Sequence, residues 1–197
     1  MRLKTLLVVA TLTFCLCVAA PTFAQNLVTN GSFETGDFSG WTETGNFEFT
    51  SVISGAFDSY TGAQDGQFYV VAGPVGADGG ISQTLTTVAG ATYDISFWLA
   101  AVGDDPSDFS AYWNGNQLLS LSDPNTGAQW TQYTFTALGT GSDTLSFNFR
   151  DDPAYIAFDN VSVTQESGPS VPEPSSFLLL GTGVLGLGGF IRRKLGR

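Results

Sequence analysis

The chain has 197 residues, no histidine, two cysteines and seven basic residues. Without histidine, a Ser-His-Asp triad, a Cys-His pair and a histidine-ligated zinc are all excluded. Six of the seven bases lie at the ends: Arg2, Lys4, Arg192, Arg193, Lys194 and Arg197. Between residues 25 and 170 the only base is Arg150, set against 17 Asp and Glu, for a charge near −16. A phosphate-binding surface needs Lys and Arg, so no nucleic acid is expected as a partner. A phosphate-cradling loop with its lysine is likewise missing.

The ends carry targeting signals. Arg2 and Lys4 precede an uncharged apolar run, Leu6 to Ala20, and Thr22-Phe23-Ala24 offers a cleavage site before Gln25. That is the pattern of a secretory signal peptide over 1–24. Cys15 and Cys17 follow the bulky Phe14 and Leu16, whereas lipoprotein cleavage wants a small residue there. Both cysteines therefore leave with the signal peptide, and the mature chain has no disulfide.

The C-terminal end has three ordered parts. A polar, proline-rich linker (166–174) ends in Val171-Pro172-Glu173-Pro174. An uncharged apolar stretch follows from Ser175 to Ile191, and a basic tail (192–197) begins with Arg192-Arg193-Lys194. As a helix the stretch would measure about 26 Å, at the short end of what crosses a bilayer. Its glycines, such as Gly181, Gly183 and Gly186, are common in transmembrane helices. The basic cluster should stay cytoplasmic, which puts residues 25–170 outside, as the signal peptide also demands.

This tail resembles the PEP-CTERM sorting signal. The matching residues are Val171-Pro172-Glu173-Pro174-Ser175-Ser176, the apolar segment Phe177–Ile191, and Arg192-Arg193-Lys194. The resemblance implies processing by an exosortase, an integral-membrane cysteine protease, with initial anchoring in the inner membrane. It also implies delivery to the cell surface or extracellular space of a bacterium that makes exopolysaccharide.

The middle, 25–165, reads as one all-β domain. Period-two alternation recurs, and no window sustains a helical period. Leu145, Phe147 and Phe149 alternate with Thr144, Ser146, Asn148 and Arg150. Tyr93, Ile95, Phe97 and Leu99 alternate with Asp94, Ser96 and Trp98; Tyr133, Phe135 and Ala137 alternate with Gln132, Thr134 and Thr136. Phe109, Ala111 and Trp113 lead into Asn114-Gly115, a hairpin signal, and then Gln117 to Leu121. Gln67–Val71 and Ile81–Val88 predict further strands, and Val161 and Val163 mark the last. Such spacing predicts a β-sandwich.

The domain resembles galactose-binding-like jelly rolls, as found in carbohydrate-binding modules. The resemblance rests on Asn26-Leu27-Val28-Thr29-Asn30-Gly31-Ser32-Phe33-Glu34 with Gly40-Trp41, on Tyr93–Trp98, and on Ala157-Phe158-Asp159-Asn160-Val161-Ser162-Val163. It implies a structural calcium ion where the first and last strands meet, with Glu34 and Asp159 as the matching acids and carbonyls near Asn30–Ser32 assisting. Carboxylates and carbonyls are the oxygen ligands that calcium prefers.

Polysaccharide binding needs exposed rings that stack on sugar faces. Alternation places Trp98, Tyr112 and Trp130 among polar neighbours, opposite the apolar faces of their strands. If their strands share a sheet, the three form an outer platform; otherwise they pack under loops. Trp41 follows a turn and is expected to plug the core. Three readings remain open: a non-catalytic surface or matrix protein that binds polysaccharide, a small glycan hydrolase using an Asp/Glu pair, and a purely structural or adhesive spacer. The first is the expectation, with no enzyme activity.

The sorting signal generates a direct test. Replacing Glu173 and its flanking prolines should leave a longer, membrane-retained precursor in an exosortase-bearing host. Immunoblots of cell fractions read this, and identical processing of mutant and parent would rule the assignment out.

Overall fold

A computed structural model describes residues 25–152 and 154–166. The signal peptide, the Pro-Glu-Pro motif, the apolar stretch and the basic tail lie outside the described residues. Among the described residues no helix is long and apolar enough to cross a membrane.

Ten strands form two five-stranded antiparallel sheets. In chain order they are β1 (Thr42–Gly45), β2 (Thr50–Ser54), β3 (Phe68–Ala72), β4 (Gly79–Thr86) and β5 (Thr92–Ala100). Then follow β6 (Ser107–Trp113), β7 (Asn116–Ser122), β8 (Thr131–Leu138), β9 (Ser142–Asp151) and β10 (Ile156–Gln165). One sheet runs β1-β4-β9-β6-β7 and the other β2-β3-β10-β5-β8. This is the all-β sandwich that the alternation implied, in the jelly-roll form that the resemblance implied.

The core is an aromatic layer between the sheets. Phe147 on β9 lies 5.1 Å from Phe97 on β5, and 5.8 Å from both Phe109 on β6 and Phe158 on β10. All four are fully buried. Burying one such ring stabilises the fold by about 1.5–3 kcal/mol. Trp41 closes one side, 5.9 Å from Phe33, with its indole N–H donating to the Asn30 carbonyl at 3.1 Å. It plugs the core, as expected from the turn before it.

Local chemistry explains the connections. Asn114 and Gly115 join β6 to β7 in two residues, with φ of 51° and 75°. Both angles are positive, as the tight hairpin turn requires. Gly31 is glycine because a Cβ there would sit 2.1 Å from the Val161 carbonyl oxygen of β10. That closeness lets Val161 donate its N–H to the Gly31 carbonyl at 2.8 Å, tying the opening segment to the last strand.

Two strands, β1 and β2, were not anticipated. Each is short, and every residue of β1 is exposed, so neither shows an apolar alternation. The first half of β10 hides for another reason. A bulge between Asp159 and Ser162, with Asn160 at φ 50°, resets the period. Phe158 and Val161 both join the central core, three positions apart.

One buried acid fastens the end of β9. Asp143 is fully buried and accepts hydrogen bonds from the Thr87 hydroxyl, the Asn114 amide, and the Thr140 backbone N–H and hydroxyl, the last two at 2.8 Å. Burial opposes its ionisation, but these donors outweigh that and hold it down to about 2. Its unfolded value is about 3.9. The folded value is the lower one, so the stabilisation is present above about pH 4 and lost as pH falls toward about 2. Asp143→Ala should cost on the order of 3 kcal/mol near neutral pH, since several donors lose their acceptor. In urea unfolding, the gap between parent and variant should shrink as pH falls through that window. A pH-independent gap would contradict this role.

Candidate functional site

The two sheets present outer faces of different character. Over β2-β3-β10-β5-β8, the segment 55–66 folds across part of the surface. Tyr60 packs there with Tyr69, Val71, Ala100 and Ala157 in a second apolar cluster, with Phe57, Ala63 and Trp130 at its margin. This is why β3 reads as an unbroken apolar run: it is covered on both sides.

Trp130 belongs to this covered region. It precedes β8, its indole N–H donates to the Gly62 carbonyl at 3.1 Å, and its ring meets Tyr69 edge-on at 5.8 Å. It packs under a loop. Trp98 lies beside the cluster, half-buried on β5. In register it faces Asp159 of β10 on one side and Gln132 of β8 on the other. A shallow groove of about 490 Å³ continues along β5 and β8, lined by Asp94, Ser96, Gln132, Thr134 and Thr136.

Tyr112 is on β6, in the opposite sheet. The shared platform of Trp98, Tyr112 and Trp130 therefore does not form, because the expectation required one sheet and the topology divides the three between two. Tyr112 is half-buried and stands opposite Ser146 of β9 and Gln117 of β7. Its strand neighbours on this face are Ser110 and Asp108, which pair with Asn148 and Arg150. Beyond them Gly80 leaves room for its neighbours, since a Cβ would sit 2.8 Å from Asn148 Oδ1 and 3.0 Å from Thr44 Oγ1. The ring thus neighbours small, amide and acidic side chains and the domain's one guanidinium. Arg150 is held to Asp152 by two N–H donors at 2.8 and 3.1 Å.

Glu34 and Asp159 act on one segment. Glu34 Oε1 accepts from the Gln67 and Phe68 amides at 2.7 and 2.8 Å. Asp159 Oδ2 accepts from the Gln64 and Asp65 amides at 2.9 and 3.0 Å, and Oδ1 from the Asn160 amide at 2.6 Å. Gly66 lets the backbone wrap this closely, since a Cβ would fall 2.3 Å from the Glu34 carboxyl carbon. Asp159 is fully buried, and that burial pushes its carboxyl up to about 7 despite the three amides. The sequence offered no hint of residues 64–68 in this role, because main-chain donors have no side-chain signature; only Gly66 marks the place.

Of the two acids only Glu34 keeps an oxygen for a cation, because both oxygens of the buried Asp159 already accept main-chain amides. The amides leave Glu34 Oε2 without a hydrogen bond among the described residues. A recess of about 550 Å³ opens there, lined by Asn30, Gly31, Ser32, Glu34, Asp65 and Asn160. Asn30, Ser32, Glu34, Asp65 and Asn160 bring side-chain oxygens to this lining, beside the apolar Val28 and Val161, and oxygen is what a hard cation needs. Among the described residues no three acidic side chains converge on a point, so carbonyls and water would complete the shell.

No curated protein matches the chain. Solved structures share its fold. TmCBM61, solved in complex with β-1,4-galactotriose, is 20% identical with a TM-score of 0.60, over 73% of this chain and 100% of its own. The K1 cleaved adhesin domain of Lys-gingipain from Porphyromonas gingivalis W83 is 16% identical with a TM-score of 0.52, over 69% of this chain and 96% of its own. Tailspike protein 4 of bacteriophage CBA120 is 20% identical with a TM-score of 0.53, over 72% of this chain but only 21% of the tailspike. The PEP-CTERM protein-sorting motif matches residues 170–194, which marks the protein for export to the cell envelope or surface. The carbohydrate binding domain family matches residues 25–169, most of the chain, and the protein belongs to that family.

Proposed function

We propose that this is a non-catalytic, exported surface or matrix protein whose jelly roll binds extracellular polysaccharide through the Tyr112 face. The observation that carries the reading is a half-buried tyrosine among polar cross-strand neighbours on one sheet of a carbohydrate-binding domain. Ring faces stack on the C–H faces of sugars, and Ser146, Asn148 and Gln117 supply donors and acceptors for hydroxyls. The other face is partly closed by the 55–66 segment, which leaves Trp98 at its margin. The apolar C-terminal stretch holds the precursor in the inner membrane until an exosortase processes it. A calcium ion expected at Glu34 and Asp159 would sit on Glu34 and nearby carbonyls, with Asp159 holding the 64–65 loop beside it.

Three alanine variants separate binding from packing. Tyr112→Ala should keep the parent melting temperature and lose retention on affinity gels cast with the host's exopolysaccharide. Trp130→Ala should lose stability by about 3 kcal/mol or more, near the core control Phe147→Ala. Trp98→Ala should leave retention unchanged. Retention that follows Trp98 instead of Tyr112 would move the site to the other sheet. Retention that follows neither would make the domain a spacer.

Removing calcium gives an independent reading. Native-state binding stabilises by about 2.7 kcal/mol at a hundredfold excess over Kd. A chelator should therefore lower the melting temperature by several degrees, and Glu34→Gln should blunt that response. Superimposable melts of parent and variant with and without chelator would remove the ion.

A further inference from the structure

The two ends of β9 offer a comparison within one molecule. Its buried positions alternate from Asp143 through Leu145, Phe147 and Phe149 to Asp151. Asp143 is fully buried and Asp151 is 2% exposed, so both ends place a carboxylate between the sheets. Asp143 is met by donors from Thr87, Asn114 and Thr140. Asp151 Oδ1 has no hydrogen-bond partner among the described residues. A buried carboxylate oxygen left alone is costly, and folded proteins rarely tolerate one.

The surroundings of Asp151 hold acceptors where Asp143 has donors. Ser107 of β6 is its cross-strand partner. The Ser107 amide is taken by Asp123 Oδ1 at 3.0 Å, and the Ser107 hydroxyl by the Asp104 carbonyl at 2.6 Å. The Tyr60 hydroxyl donates to the Tyr155 carbonyl. Arg150 is engaged with Asp152. Burial first, and then the nearby charges of Asp104, Asp152 and Asp123, push the Asp151 carboxyl up to about 6, with a hydrogen bond from the Ala154 amide opposing them.

We infer that Asp151 anchors a second divalent cation, calcium by its ligand chemistry, at the end of the sandwich where β9 meets the 104–107 and 123 turns, with Asp104 as the second carboxylate. A cation supplies what Oδ1 lacks and offsets the surrounding negative charge. No three carboxylates converge among the described residues, so two acids, loop carbonyls and water make up the shell. Calcium takes six to eight oxygens of these kinds. The site shares no residue with Glu34 and Asp159.

The test counts ions in the whole protein. After stripping with chelator, calcium is titrated by calorimetry into Glu34→Gln, in which the other candidate site is weakened. Glu34→Gln should still bind calcium through the Asp151 end. Adding Asp151→Asn should abolish that binding, and adding Asp104→Asn, at a half-buried position, should weaken it at least tenfold. Asparagine keeps the shape and removes the buried charge, so in chelator Asp151→Asn should melt at or above the parent, and calcium should raise its melting temperature by less. Equal calcium affinity with and without Asp151→Asn would overturn the site. If that variant fails to fold, unchanged affinity in Glu34→Gln/Asp104→Asn would overturn it equally.

Discussion

Between residues 25 and 170, 17 carboxylates share a single guanidinium, and the domain's construction depends on where each carboxylate finds a counterpart. Salt bridges cannot serve: among the described residues there is one, Arg150–Asp152, at the surface. Exposed pairs of that kind contribute about 0–1 kcal/mol. Neutral donors do the work instead. Asp143 is held by hydroxyls and amides, and Glu34 and Asp159 by main-chain N–H groups of residues 64–68 and 160. Each of these acids thereby becomes a fastener, joining segments distant in sequence. Asp159 links β10 to a loop more than 90 residues earlier.

That arrangement relieves the aromatic core of a task it cannot perform. Rings such as Phe97, Phe109, Phe147 and Phe158 hold the sheets together, but apolar contact is not directional. It does not dictate which loop closes which end of the sandwich. The buried acids do, because a carboxylate without its donors is costly. Burial supplies the stability of this cysteine-free domain, and the acid–amide contacts supply its specificity. The 55–66 segment uses both: Tyr60 anchors it in the second apolar cluster, and Asp159 holds its continuation at residues 64 and 65.

The sandwich was legible because β5, β6, β8 and β9 each carry an apolar stripe of period two. Asn114-Gly115 was legible because its chemistry admits few alternatives. β1 and β2 were not, since edge strands with exposed side chains leave no stripe. Alternation also sorted Trp98 and Tyr112 correctly onto outer faces. It could not say that these faces point in opposite directions, because strand order is a long-range property and β5 and β6 are neighbours only in sequence. Trp130 misled for a different reason. Its polar neighbours Gln132 and Thr134 do face outward, but the ring stands before the strand begins and is covered by a loop from 68 residues away. The acids Glu34 and Asp159 could be singled out by resemblance, whereas Asp151 could not. The stripe of Leu145, Phe147 and Phe149 puts Asp151 in phase with the core and Asp152 out of it, but nothing local says that the strand runs as far as Asp151 or that its carboxylate is left without a donor.

Charge also limits what such a domain can hold. Near −16, the module repels uronate-rich or sulfated polymers unless cations intervene, and the repulsion reaches about 10 Å at 0.1 M salt. On the Tyr112 face, Arg150 is the only positive group, and Asp152 already neutralises it. Asp108, its cross-strand partner, is pushed up by burial and then by Asp78, so this face offers no net attraction to an anion. Stacking and neutral hydrogen bonds are what remain, and both suit an uncharged sugar chain. An acidic polymer would have to arrive with divalent cations bridging it to the surface, which makes its binding depend on the ion supply outside the cell. The composition that argues against nucleic acid therefore favours, for the proposed site, an uncharged sugar chain over an acidic one by the same electrostatics.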